Sequence, residues 1–149
     1  MRYAARCAVA LVAALAGCKD SSGPEEAAIC PPTGVAISVG EGLSPLISWE
    51  PQCRASQITV KRVDPTGAEG ATVWSHGLDP AARYVEDALP ESAVNRLSSP
   101  VAYGIRAPHL SVSAAPPLDA GQRYIVELEA RAGTPYTTLY RVASQTFER

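Results

Sequence analysis

From Cys30 onward, short segments of alternating apolar and polar residues are separated by Pro, Gly, Asp and Ser, and this two-residue period predicts an antiparallel β domain. Val35, Ile37 and Val39 alternate before Gly40-Glu41-Gly42, and Leu46 to Trp49 follows until Pro51 stops it. Ile58 to Val63 is rich in β-branched residues. Asp64-Pro65-Thr66-Gly67 after it has the signature of a type I turn, with Thr72 to Ser75 as the return strand. Val101, Tyr103 and Ile105 alternate next, with Gly104 marking a bulge or a close backbone approach. The strongest strand is Tyr124 to Arg131: Tyr124, Val126, Leu128 and Ala130 line a core face, and Glu127, Glu129 and Arg131 share the wet face with Ile125. Tyr140, Val142 and Ser144 continue the pattern after a Gly133-Thr134-Pro135 connection, for about seven strands in all. Residues 79–97 fit least: a short helix over 79–90 has Asp79-Pro80 as a start and Pro90 as a stop, and an irregular crossover fits equally well. Thirteen prolines argue against long helices elsewhere.

A different pattern precedes the domain. Arg2 and Arg6 give a basic start, Cys7 to Ala16 is an unbroken apolar run, and Leu15-Ala16-Gly17 places small residues before Cys18. Ten apolar residues are half of the roughly 20 that a membrane-spanning helix needs. Leu15-Ala16-Gly17-Cys18 resembles the lipobox of a bacterial lipoprotein signal peptide. The resemblance implies cleavage before Cys18, a diacylglycerol on its sulfur and an acyl chain such as palmitate on the freed amine. Two or three acyl chains hold a domain on a bilayer, since each buried methylene contributes about 0.8 kcal/mol. By resemblance to the sorting rule of Gram-negative envelope lipoproteins, in which Asp at that place signals inner-membrane retention, Lys19 implies the outer membrane. Asp20-Ser21-Ser22-Gly23-Pro24-Glu25-Glu26 has almost no apolar content and reads as a tether. The expected organisation is a leader over 1–17, a flexible tether over 18–29 and one domain over 30–149.

Composition narrows the partners. Of 13 Lys and Arg, Arg2 and Arg6 lie in the leader, leaving 11 against 15 Asp and Glu, a formal charge of −4. No basic stripe suggests nucleic acid, and an acidic domain gains nothing from anionic headgroups. Of four cysteines, Cys7 goes with the leader and Cys18 with the lipid. Cys30 and Cys53 remain, and an even pair in an exported chain reads most simply as a disulfide. A reactive or metal-binding pair is the alternative, without CxxC spacing or a nearby histidine to support it.

Trp49 in Ile47-Ser48-Trp49-Glu50-Pro51, and Leu118-Asp119-Ala120-Gly121-Gln122-Arg123-Tyr124, are similar to features of fibronectin type III and immunoglobulin-like sandwiches. There a Trp sits in an early strand, and a Tyr opening a late strand bonds backbone of the preceding loop, the tyrosine corner. The resemblance implies a two-sheet core around Trp49, Leu118 and Tyr124. Trp49 and Tyr124 are 75 positions apart, so residues 64–100 would hold an insertion or extra strands.

Candidate chemistry is sparse. His76 lies in Trp74-Ser75-His76-Gly77-Leu78-Asp79, but Ser75 and His76 would point to opposite faces of a strand, and proximity in sequence makes no triad. His76 with Asp79, or Asp64 with Glu69, fits neither an EF-hand nor a zinc pattern. No phosphate loop, G-x-S-x-G or H-E-x-x-H occurs. The expectation is therefore no catalytic residue, no metal and no cofactor beyond the lipid on Cys18. Trp74 and Tyr136 are the candidate ligand-binding aromatics, with core filling as the other reading of Trp74. The sequence points to a lipid-anchored cell-envelope protein whose non-catalytic β-sandwich contacts an unidentified envelope protein or polysaccharide. The alternatives are a carbohydrate-binding module using Trp74 and Tyr136, and a hydrolase centred on His76.

Overall fold

The computed structural model describes residues 28–77, 94–105, 111–112, 115–132 and 138–149. The expected leader, most of the expected tether, the 79–90 segment and Tyr136 lie outside the described residues.

The elements of the described residues are all β-strands, in antiparallel sheets. The described strands are β1 (Ala36–Val39), β2 (Leu46–Glu50), β3 (Arg54–Ala55), β4 (Gln57–Val63), β5 (Glu69–Gly77), β6 (Leu97–Ser98), β7 (Val101–Ala102), β8 (Ser111–Val112), β9 (Arg123–Ala132) and β10 (Thr138–Glu148). They form a three-stranded sheet in the order β1-β2-β7, a five-stranded sheet in the order β10-β9-β4-β5-β8, and the small pair β3-β6. The six longest strands fall where alternation predicts them. The two-residue strands β3, β6 and β8 carry no readable period.

Both larger sheets turn one face into a single core. From β1 and β2 come Ile37, Ile47 and Trp49, and from β4, β5 and β9 come Ile58, Val60, Trp74, Tyr124, Val126, Leu128 and Ala130. Tyr124, Val126, Leu128 and Ala130 are all 1 % exposed or less, as their alternation requires. Tyr124 also closes its own loop: its hydroxyl accepts from the Asp119 amide at 2.9 Å, while Leu118 beside it is buried.

The β4–β5 hairpin is closed as its sequence dictates. An Asp64 carboxylate oxygen accepts from the Thr66 amide, the Thr66 hydroxyl and the Ala68 amide, and Gly67 takes the left-handed φ of 91° that a side chain would strain. These bonds, led by the Thr66 hydroxyl and then the Ala68 amide, hold the Asp64 carboxyl below its ordinary range.

Three expectations change on folding. In β10 the pairing slips between Arg141 and Ala143, so the inward set after the slip is Ala143 opposite Leu128 and Phe147 opposite Tyr124. Ser144, expected inward, is exposed opposite Glu127, because one extra residue in a strand swaps its faces. The Val101–Tyr103–Ile105 alternation stops early: β7 ends at Ala102, Gly104 turns the chain with φ 82°, and Ile105 is exposed. Ala28 and Ile29, placed in the tether by sequence, lie against β3. Arg54 donates to the Ala28 carbonyl, and Ile29 bridges Arg54 in parallel.

Cys30 and Cys53 form the disulfide, with Cα atoms 4.8 Å apart across 23 positions. It sits at a junction of elements. The Trp49 indole N–H donates to the Cys53 carbonyl at 2.9 Å, and the Tyr140 hydroxyl donates to the Cys30 carbonyl at 2.7 Å. Closing that segment restricts the unfolded chain, so replacing both cysteines by Ala is expected to lower unfolding free energy by about 3 kcal/mol. Urea titration of the oxidised chain against the double variant measures this, and a difference under about 1 kcal/mol would contradict it.

Candidate functional site

Strand β5 carries the residues singled out for chemistry, and its alternation decides what they can do. Trp74 and His76 share the face turned into the core; Ser75 pairs with Thr59 on the other. Trp74 is fully buried and His76 is 3 % exposed. Their rings stack with centroids 5.8 Å apart and planes within 8°, and Tyr103 leans on Trp74 at 5.1 Å. The Tyr103 hydroxyl donates to the Pro116 carbonyl at 2.7 Å, and burial raises its phenol above the ordinary value. Trp74 Nε1 and His76 Nδ1 are buried with no hydrogen-bond partner. Such unpaired atoms are uncommon in a core.

Two sequence expectations meet this geometry. Trp74, offered as a ligand-binding aromatic, has no face to solvent, because it and His76 lie on the core side of β5; a sugar would have nothing to stack on there. His76, offered as the centre of a hydrolase, has Ser75 on the opposite face of the strand and no partner for Nδ1, and Asp79 lies outside the described residues. Burial lowers the imidazole's affinity for a proton below its ordinary value. Trp49, Leu118 and Tyr124, expected in the core, are buried there.

The outer face of the five-stranded sheet holds a cluster that alternation alone does not reveal. Glu127, expected to be wet, is only 3 % exposed. Its carboxylate pairs with Lys61 Nζ at 2.5 Å and with Arg141, and Lys61 reaches Glu69 at 2.8 Å. One residue from each of β4, β5, β9 and β10 thus meets across the sheet, and the long stems of Lys61 and Arg141 cover the carboxylate. Hydrogen bonds to Glu127 and then Glu69 hold the Lys61 ammonium above its ordinary value, and Lys61 holds Glu69 below its own. Glu129 is raised, first by burial and then by its neighbour Glu127. The readable signal was the run of charge at alternate positions in Glu127-Leu128-Glu129-Ala130-Arg131.

Asn95 was also missed. Its side-chain amide donates to the Arg131 carbonyl and accepts from the Arg131 amide, at 3.0 and 2.9 Å, supplying β9 with the two bonds a neighbouring strand would give. Elsewhere, large apolar side chains stand out. Leu43, Leu46 and Ile105 are about half exposed, on segments tied together by pairing of Leu46 with Ala102 and a bond from the Ile105 amide to the Ala102 carbonyl. They cluster at the end of β2 away from Glu50, whereas the disulfide and Ala28 lie beyond the Glu50 end.

No protein family, curated protein or solved structure matches this chain. Among the described residues, no group of three His, Cys, Asp or Glu side chains could hold a metal, and no helix is long and apolar enough to cross a membrane.

Glu127 is the hub of the charged face. Glu127→Ala is expected to cost about 1–3 kcal/mol, because it leaves Lys61 without its buried partner. Arg141→Ala, at a position about half exposed, is expected to cost under about 1 kcal/mol. Equal losses for the two in chemical denaturation would contradict the ordering. The raised Lys61 favours folding while it is charged, so its contribution is complete below the ordinary lysine value of about 10.4 and is lost as pH rises through its higher folded value.

Proposed function

We propose that this chain is a lipid-anchored cell-envelope protein carrying one non-catalytic immunoglobulin-like or fibronectin type III-like β-sandwich, used for protein interaction or structural tethering. The observation that carries the reading is Leu15-Ala16-Gly17-Cys18 at the close of a short apolar run. The Cys30–Cys53 disulfide supports it, since such bonds persist in oxidising compartments and an exported chain enters one. Trp49 and Tyr124 in one core, with the Tyr124 hydroxyl bonded to the loop before its strand, support the sandwich.

In this reading the diacylglycerol and acyl chains on Cys18 restrict the domain to a bilayer surface, and Lys19 favours the outer membrane. A flexible tether of about ten residues has a root-mean-square reach of roughly 20 Å. Confinement raises the effective concentration of the domain near a neighbouring envelope protein or polysaccharide, so weak contacts suffice. Leu43, Leu46 and Ile105, at the end remote from Ala28, are exposed apolar side chains that favour a protein partner. With Trp74 in the core, the carbohydrate-binding reading rests on Tyr136, outside the described residues.

The test is processing and partition. Wild-type chain is expected in the membrane pellet with Cys18 as its first residue, carrying diacylglycerol on sulfur and an acyl group on nitrogen by mass spectrometry. Cys18→Ser is expected to abolish that modification. A wild-type Cys18 with a free thiol, or residues 1–17 retained on the wild-type chain, would refute the anchor.

A further inference from the structure

The Trp74–His76 pair lies at the weak margin of the larger sheet. Among the described residues β8 is its edge strand and pairs with β5 at two positions, His76 with Val112 and Gly77 with Ser111. The other side of β5 cannot yield in the same way. A Cβ on Gly77 would meet the Ser56 carbonyl oxygen at 2.7 Å and Gln57 Cα at 2.9 Å, so β5 is pressed backbone to backbone against the start of β4. The imidazole is buried among apolar neighbours: Trp74 on its own strand, and Ile58 on β4 followed by Leu128 on β9 in its row of the core face. Among the described residues, no charged side chain faces the ring from β4, β5 or β9. Neither residue of β8 has an ionisable side chain, and the Tyr103 phenol, whose ring leans on Trp74, is committed to the Pro116 carbonyl.

We propose that His76 is an acid-sensitive latch on the β5–β8 edge: neutral, it packs on Trp74 and closes the sheet, and protonated, it leaves the core and frees β8. An imidazolium must donate from both ring nitrogens, and Nδ1 has no acceptor where it lies. Placing that charge in the core without a partner costs more than releasing two register pairs, so the ring moves toward water across the edge it helps to hold. The lowered proton affinity that burial gives the ring has the matching sign. The folded state binds the proton less well than the unfolded one, so stability is complete above the ordinary histidine value of about 6.5 and falls as pH drops from there toward the lower folded value.

The test uses the full-length chain in detergent micelles, wild type and His76→Phe, which keeps a flat ring that cannot be protonated. Imidazole resonances are followed by NMR from about pH 7 to about pH 5, amide hydrogen exchange is read across 76–77 and 111–112, and urea unfolding is measured at each pH. Of the two histidines, the variant identifies His76 by its missing signals. The latch predicts that His76 titrates below about 6.5, and that exchange at these four residues rises at a higher pH than exchange around Trp49 and Val126. It also predicts that the wild-type unfolding constant climbs relative to His76→Phe by up to about tenfold per pH unit. Titration at or above about 6.5, equal pH dependence in both proteins, or simultaneous loss of protection at β8 and around Trp49 would overturn it. If His76→Phe does not fold, the wild-type titration and the order of exchange decide the matter alone.

Discussion

The junction at Cys30 and Cys53 is the constraint on which the rest of the architecture depends. An indole N–H from β2 and a phenol from β10 both end on carbonyls of the two bridged cysteines. The three-stranded sheet, the segment entering from Ala28 and the edge of the five-stranded sheet are thereby fixed to one covalent link. A domain of this size buries a modest core, so a cross-link that also satisfies two large amphipathic side chains contributes a substantial share of its stability. The remaining aromatics extend from it: Trp49 at the junction, then Trp74 with Tyr103, then Tyr124 with Phe147 at the far end.

The long strands were legible because alternation between a wet and a dry face is a direct consequence of strand geometry, and β4 and β9 obey it nearly throughout. The disulfide was legible by cysteine arithmetic, and the Asp64 turn by its residues. What escaped was non-local. A two-residue strand such as β3 or β8 has no period to detect, and its partner is chosen by what the rest of the chain leaves free. The slip at Val142 exchanged the faces of β10 with no glycine or proline to announce it. Glu127 obeys the alternation and still loses its water, because cover by lysine and arginine stems depends on cross-strand neighbours that the linear sequence does not pair. Trp74 was ambiguous for a related reason: a strand rich in apolar residues on one face gives no sign of whether that face meets a core or a ligand.

The two polar features within the fold work in opposite ways. Glu127 meets cations from two strands, so its burial is compensated and the charged face adds cohesion across four strands. His76 and Trp74 sit in the core with unpaired nitrogens, so their burial is uncompensated. The sheet is therefore braced along its β9–β10 side, whereas at β8 two pairs with β5 are seen among the described residues. The end bearing Ala28 carries the covalent link, while the opposite end carries the exposed Leu43, Leu46 and Ile105.

The direct test of the junction is a double-mutant cycle between Tyr140→Phe and the Cys30→Ala/Cys53→Ala variant, read as unfolding free energy in urea. Because the Tyr140 hydroxyl bonds a carbonyl whose position the disulfide fixes, the account predicts a coupling above about 0.5 kcal/mol, with Tyr140→Phe costing less once the cysteines are gone. Strict additivity would mean that the phenol and the cross-link stabilise the domain independently, and would contradict the junction as its organising constraint.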